Sequence, residues 1–251
     1  TSQGGNFSMI KVAPYTNTPV LFGNDEYRFH DRIVTNEPIE AAHYNEMKAK
    51  WAELAGTGTY EQFVKDYLTE KGYTIKDHLN YYFDADPETW DVLATSNAAD
   101  AEILVNTYDG LVEYDMENQA QPALATGYTV SEDGLKYTFK LRQGVVWVDN
   151  QNRKVADLKA DDFVAGLQHM MDAAEGLEYL TGAAGANIVN ADEYIAGEVT
   201  DFAEVGVKAI DDYTLEYTLD KPTNYFPTML SYGVFAPLCR EYYESMGGKF
   251  G

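Results

Sequence analysis

The chain has 251 residues, enough for one large or two small domains, and its apolar (45%) and charged (24%) fractions are those of a folded protein. It carries 41 acidic and 18 basic residues, and the resulting net charge of -23 disfavours DNA, RNA and anionic membrane surfaces as partners. The single cysteine cannot form an internal disulfide, and no apolar run is long enough for a membrane-spanning helix.

The first third of the chain predicts one strand and two helices. "FSMIKVAPY" (7–15) is a strand candidate, and "IEAAHYNEMKAKWAELAG" (39–56) is rich in helix formers and ends on a glycine. A second helix follows, in which Thr59 and Gln62 form a capping-box pattern and Gly72 marks the end. We interpret this pair as an αα-hairpin, a helical elaboration with no role in ligand binding.

The next stretch predicts a short strand, a turn and a helix. "LNYYF" (79–83) is typical of a strand, and "DADP" predicts a turn with Pro87 just inside it. "ADAEILVNTYDGLVEYD" predicts a helix to about Tyr108, a break at Gly110 and then a strand.

"DGLKYTFKLRQGVVW" gathers four basic residues in this acidic chain. Its strict alternation predicts a half-buried antiparallel strand after a hairpin turn at Ser131–Gly134. The predicted inner face is Leu135, Tyr137, Phe139 and Leu141, and the outer face is Lys136, Thr138, Lys140 and Arg142. We interpret the basic residues as the solvated face of an edge strand rather than as a binding site.

"VADLKADDFVAGLQHMMDA" predicts an amphipathic helix. Its apolar stripe is Phe163, Val164, Leu167, Met170 and Met171. Asp161 and Asp162 lie in its first turn, and we interpret them as helix-capping residues rather than as a catalytic carboxylate pair.

The region that follows predicts a second capped helix and a hairpin. Asn190 and Glu193 form another capping-box pattern, and Gly197 marks the end of that helix. "VGVKAIDDYTLEYTLDKP" predicts a hairpin that turns at Asp211 and Asp212, and a further helix should follow Cys239.

Motifs of catalysis and of metal or cofactor binding are missing from the sequence. The four histidines, His30, His43, His78 and His169, lack metal-ligand spacing. There is no G-x-S-x-G, P-loop, dinucleotide fingerprint or C-x-x-C, and Cys239 is interpreted as a small packing residue. The sequence therefore favours a binding protein over an enzyme, with no cofactor and no metal.

The order of several motifs is more specific than any one of them. "ILVNTYDGLVEYD", "PALATGYTVSEDGLKYTFKLRQGVVWVD", "ADDFVAGLQ", "GVKAIDDYTLEYTLDKPTNYF" and "FAPL" follow one another. This series resembles the bacterial extracellular solute-binding proteins of family 5, the oligopeptide- and dipeptide-binding proteins of ABC importers. The resemblance covers roughly Leu79 to Phe250, and its strongest block is Pro122 to Trp147. One departure is the longer turn after Trp147.

The resemblance implies an α/β fold with mixed, largely antiparallel sheets, of the periplasmic-binding-protein-like class II type. Residues 1–78 are expected to form the N-terminal strand and helical elaboration, and 79–110 the start of lobe I. Residues 111–237 are expected to form the inserted small domain, and 238–251 a return helix. Family members are about twice as long, so we expect an N-terminal fragment that holds part of lobe I and the small domain.

The function implied by the resemblance is peptide binding between two lobes for ABC import, without catalysis. Expected partners are the peptide and the permease subunits, and the expected location is extracytoplasmic: periplasmic, or a Gram-positive surface lipoprotein whose lipid anchor lies outside this chain. Alternatives are another ligand (nickel chelate, haem or oligosaccharide), a peptide-sensing surface receptor or chaperone, and an enzyme.

The resemblance also implies ligand-binding residues. "DADPETWDVLATSNAAD" resembles the cleft-lining part of the first lobe, which indicates Asp91, Leu93 and Asn97. "LSYGVF" resembles the ligand-facing stretch of the small domain, which indicates Tyr232 and Gly233. Plain packing or helix capping is the alternative for each of the five. The aspartate that pairs with the amino terminus of the peptide is expected outside this chain.

Overall fold

The computed structural model describes residues 10–16, 29, 32–80, 86–115 and 119–248. These residues form two compact units. The first is formed by the described residues within Thr1–Pro19, Tyr27–Phe83 and Tyr114–Gln119. The second is formed by those within Asp84–Glu113 and Ala120–Gly251. Within the described residues, no helix is both long and apolar enough to cross a bilayer.

The first unit is built around a helix pair, α1 (Ala41–Leu54) and α2 (Tyr60–Glu70). The loop between them turns at Gly56 and Gly58, which both have positive φ. The helices bury one side of each against the other, with aromatic rings filling the space between them. The fully buried residues of the pair are Met47, Tyr60, Val64 and Leu68. The predicted αα-hairpin is therefore confirmed.

Two local predictions for the first unit are wrong. Thr59 does not cap α2, since its hydroxyl is hydrogen-bonded to that of Thr57 and Gln62 donates to Asp66 instead. The described part of the 7–15 strand candidate forms only a single bridge, from Val12 to Val34. Residues 7–9 lie outside the described residues, as do 81–85, so most of the strand predicted at 79–83 does too.

The second unit holds the rest of the secondary structure, in chain order. Its first helix is α3 (Ala98–Leu104), and its strands are β1 (Val112–Tyr114, which ends at the boundary with the first unit), β2 (Ala120–Pro122), β3 (Ala125–Val130), β4 (Lys136–Leu141), β5 (Val146–Val148), β6 (Lys154–Asp157), β7 (Val207–Asp211) and β8 (Thr214–Thr218). The later helices are α4 (Ala160–Ala173), α5 (Ala191–Ile195), α6 (Phe226–Met229) and α7 (Arg240–Ser245). Short 3-10 turns occupy Val92–Ala94, Glu178–Leu180, Phe202–Glu204 and Gly233–Phe235.

A four-stranded antiparallel sheet of order β3-β4-β8-β7 forms the centre of the second unit. One row across it runs from Tyr128 through Phe139 and Leu215 to Ala209. The pairs β1-β2 and β5-β6 form two smaller sheets. The fold prediction, α/β with largely antiparallel sheets, agrees with this architecture.

Helix α4 covers the sheet. It packs on β7 and β8, and its buried residues include Phe163, Leu167, Met170 and Met171, as predicted. Asp162 accepts a hydrogen bond from the backbone of Lys159 at 2.9 Å, so the predicted capping role of this carboxylate is confirmed. Burial of each large apolar side chain contributes roughly 1.5–3 kcal/mol, so this face anchors the helix.

Three predictions for the second unit need correction. Strand β4 is half-buried with lysines outward, as expected, but it is an inner strand between β3 and β8 and not an edge. Helix α3 ends at Leu104, because the Thr107 N–H and hydroxyl both donate to the Leu104 carbonyl. Asn190 does not cap α5, since its backbone is left-handed (φ 57°) and its amide donates to the Glu204 carbonyl.

Gly166 lets helix α4 approach the backbone of residues 236–238. A Cβ at Gly166 would lie 2.2 Å from the Ala236 carbonyl oxygen, and the Leu238 N–H donates to the Asp162 carbonyl at 2.8 Å. The segment that follows the 3-10 turn Gly233–Phe235 is therefore held directly on α4.

We expect Gly166→Ala to destabilise the protein by about 1–3 kcal/mol, because backbone atoms must move to accept the methyl group. Alanine is otherwise better than glycine inside a helix by ~1 kcal/mol, so helix propensity alone predicts the opposite sign. Urea unfolding followed by circular dichroism measures the difference. An unchanged or raised free energy of unfolding would show that this contact is not tight.

Candidate functional site

Two short irregular segments of the second unit meet beside α4. The 91–97 segment contains the 3-10 turn Val92–Ala94, and the 232–235 segment contains the turn Gly233–Phe235. The two turns pack on each other, and both pack on α4. The five residues predicted to bind ligand all lie in these two segments.

Asp91 anchors the beginning of the 91–97 segment. One carboxylate oxygen, Oδ1, accepts a hydrogen bond from the Leu93 N–H at 3.1 Å and so caps the 3-10 turn. The other, Oδ2, lies 2.7 Å from Nε2 of His169 on α4. Asp91 is buried, and each of its carboxylate oxygens has a partner within the chain.

Asp100, in the first turn of α3, anchors the same region from its other end. It is 1% exposed, and its Oδ1 accepts from the Glu88 N–H at 2.7 Å while Oδ2 accepts from the Thr95 hydroxyl at 2.8 Å. Asn97 begins α3 and accepts a hydrogen bond from the Ala99 N–H. Thr95 and Asn97 both have extended backbone, so the chain passes through this point without helical hydrogen bonding.

Gly233 brings the 232–235 segment close to Tyr108. A Cβ at Gly233 would lie 2.4 Å from the Tyr108 hydroxyl oxygen and 3.5 Å from Val92. Tyr232 and Gly233 are both buried. This close packing needs the smallest residue at position 233, whose φ is not in the left-handed region.

A small pocket lies between the two segments. Its empty volume is about 290 Å3, part of which is open solvent. Apolar side chains line most of it, and Thr95, Ser96 and Tyr108 contribute hydroxyl-bearing side chains. The full lining is Val92, Thr95, Ser96, Ala101, Val105, Tyr108, Leu177, Tyr232, Gly233 and Val234. A pocket of this character suits a small, largely apolar group.

The structure gives the five predicted residues different surroundings. Tyr232 and Gly233 line the pocket, whereas Leu93 is buried in the core of the unit. Asp91 lies beneath the turn that contributes Val92, and Asn97 is exposed at the start of α3. Their roles in ligand binding stay predictions.

Sequence reasoning did not identify three other residues, Asp100, Tyr108 and His169. Asp100 is an acidic residue in a first helical turn, a pattern that indicates only dipole compensation. His169 lies 78 residues from its partner Asp91 in the chain, so no local spacing could have paired them. Tyr108 was placed by sequence at a helix end, although α3 ends before it.

The charged groups beside the pocket are few. The ring of His169 is edge-on to that of Tyr243 on α7, with 4.9 Å between centroids. Burial, and to a lesser degree the Asp91 carboxylate, raises the pKa of Tyr243, so this phenol stays protonated at neutral pH. Burial also raises the pKa of Cys239, which keeps its thiol protonated and unreactive. No group of three or more His, Cys, Asp or Glu residues arranged for metal binding occurs among the described residues.

Comparison with known proteins places this site in a family context. A family model described as "Bacterial extracellular solute-binding proteins, family 5 Middle" matches residues 119–245. The oligopeptide-binding protein SarA of Streptococcus gordonii is 39% identical over 172 residues, which are 68% of this chain and 26% of SarA. The oligopeptide-binding protein AmiA of Streptococcus pneumoniae is 41% identical over 170 residues, 68% of this chain and 25% of AmiA. The chain thus spans about a quarter of the length of these relatives.

Solved structures show the same likeness. A substrate-binding domain of an oligopeptide ABC transporter from Bacillus anthracis is 36% identical, with a TM-score of 0.57 over 65% of this chain and 30% of that one. The OppA of Haemophilus influenzae, solved in complex with the peptide RPPGFSPFR, is 27% identical, with a TM-score of 0.57 over 65% and 31% of the two chains.

We expect Gly233→Ala to destabilise the second unit by about 1–3 kcal/mol, because the methyl group would collide with the Tyr108 hydroxyl. Adding Tyr108→Phe removes the oxygen, and the nearest ring carbon is then 3.7 Å away. The double variant should therefore be almost as stable as Tyr108→Phe alone. Gly127→Ala is the matched control, since nothing lies within 4 Å of a Cβ there. Equal losses at 127 and 233 in thermal unfolding would contradict the packing described.

Proposed function

The chain belongs to the bacterial extracellular solute-binding proteins of family 5, and we propose that it forms part of a peptide-binding component of an ABC importer. The observation that carries the proposal is the family match over residues 119–245, which includes the sheet, α4 and the 232–235 segment. Relatives that match this chain are named oligopeptide-binding proteins. Catalysis is not part of the proposed function, and neither is a cofactor.

The geometry supports a peptide more than a compact ligand. The 91–97 segment has extended backbone at Thr95 and Asn97, beside a pocket that admits a small apolar group. An extended peptide can align its backbone with such a segment and place one side chain in such a pocket, while backbone bonds supply affinity that does not depend on sequence. In this arrangement residues 1–251 contribute one side of the binding cleft.

We assign different roles to the five predicted residues. Tyr232 and Gly233 form the side of the pocket and contact the ligand. Asn97 lies at the exposed end of the 91–97 segment, where its side chain is already engaged in capping α3. Asp91 and Leu93 hold this segment in place from beneath, since both are buried. The proposal thus separates contact residues from supporting residues.

The proposed partners and location follow from the same function. The partners are a peptide and the permease subunits of the importer. The location is outside the cytoplasmic membrane, either periplasmic or at a Gram-positive surface through a lipid anchor. Residues 111–237 are proposed to form the small domain of the first lobe. A peptide-sensing receptor that does not serve a permease would use the same site.

The full-length gene product, purified without denaturation, should carry bound peptides. Native mass spectrometry should show them, and tandem sequencing should identify short peptides of mixed sequence. Titration of stripped protein with a library of tri- to hexapeptides should give saturable heat. Haem absorbance, stoichiometric nickel or a bound oligosaccharide in place of peptides would contradict the proposal.

Residues 1–251 expressed alone are the control for that experiment. If this chain supplies one side of a two-lobed cleft, the peptide lacks its other contacts. The loss of two or three charge-assisted hydrogen bonds, each worth ~1.5–3 kcal/mol, weakens binding by roughly three to six powers of ten. No saturable heat should therefore appear for this chain. Micromolar binding by it would mean that the whole site lies within these residues.

A further inference from the structure

The 91–97 segment is held by side chains rather than by a strand ladder. Its 3-10 turn is only three residues long, and its main-chain bond is that from the Ala94 N–H to the Asp91 carbonyl. Two buried carboxylates supply the other anchors, Asp100 through Thr95 and Asp91 through His169. Short irregular segments need such anchors, because they have few cooperative backbone bonds.

The bond from His169 to Asp91 links this segment to α4. A carboxylate only accepts hydrogen bonds, so Nε2 of His169 carries the proton that is donated across 2.7 Å. The two side chains are 19% and 10% exposed, so water competes little for the bond. The titratable groups that face the imidazole are Asp91 from the turn and Tyr243 from α7.

Helix α4 is a rigid support for this bond. The adjacent residues Met170 and Met171 are buried in the core, and Leu167 is 1% exposed. Gln168, one residue before His169, accepts a hydrogen bond from Arg240 on α7. A side chain fixed by packing on a helix holds its partner more precisely than one on a loop. The position of α4 is therefore passed to the segment beside the pocket.

We propose that His169 is a positioning residue for ligand binding, which holds the 91–97 segment in its binding geometry through Asp91 and does not itself touch the ligand. The inference rests on the proposed function, and it concerns how the pocket is kept in shape. Val92, Thr95 and Ser96 are the lining residues that it positions. If His169 is removed, the Asp91 carboxylate is left buried with the Leu93 N–H as its remaining printed partner, and the segment gains alternative conformations.

The first test compares peptide affinities of full-length variants by titration calorimetry, using the tightest member of the tri- to hexapeptide library. His169→Ala should weaken binding by about tenfold to a hundredfold, which corresponds to one charge-assisted hydrogen bond. His169→Gln should recover most of the affinity, because its amide can donate to the same carboxylate. Combining His169→Ala with Asp91→Asn should cost no more than the larger single loss.

The matched control is Tyr194→Phe. Tyr194 donates to Asp172, which also lies on α4, at 2.7 Å, and neither residue lines the pocket. This variant removes a hydrogen bond from the same helix and should leave affinity unchanged. Equal losses in Tyr194→Phe and His169→Ala, or additive losses in the Asp91 and His169 pair, would overturn the proposal.

The second test needs no ligand. Hydrogen exchange of the free protein should be faster at the amides of 92–97 in His169→Ala than in the unmodified protein, and slow again in His169→Gln. Amides of α4 should be unaffected. Unchanged exchange at 92–97 would overturn the positioning role even if peptides bind. Peptide binding that is absent from the unmodified protein would instead refute the proposed function.

Discussion

The burial of helix α4 against the antiparallel sheet is the interaction on which the second unit and its pocket depend. One face of the helix is fixed by large apolar side chains, each contributing about 1.5–3 kcal/mol. Other positions of the same helix, Gly166 and His169, meet the chain near Ala236 and at Asp91. Since a close-packed helix resists displacement, both pocket segments take their positions from one rigid element.

The second constraint is that the pocket segments are irregular. A regular strand or helix would use its own backbone groups, whereas Thr95 and Asn97 have extended backbone outside any sheet. The cost of ordering such a chain is offset by buried side-chain bonds, chiefly those of Asp91 and Asp100. Binding residues are often found on irregular segments that a rigid scaffold holds in place, and this arrangement has that form.

Much of the fold could be predicted because periodicity reports burial. The alternation of Tyr137 and Phe139 and the apolar stripe of α4 both identified the correct faces. Alternation says nothing about neighbours, however, which is why β4 was expected at an edge and is found inside the sheet. Capping patterns failed at Asn190, whose left-handed backbone excludes the required geometry. The link between His169 and Asp91 depends on tertiary packing, and the candidate site residues came from family resemblance rather than from periodicity.

Hydrogen exchange of the full-length gene product with and without saturating peptide tests the central claim, that the 91–97 and 232–235 segments form one side of the ligand site. Bound peptide should slow exchange at amides in both segments, because it excludes water from the pocket between them. Amides of α1 and α2, in the first unit, should not respond. Saturable peptide binding that leaves both segments unprotected and slows exchange elsewhere would contradict the account.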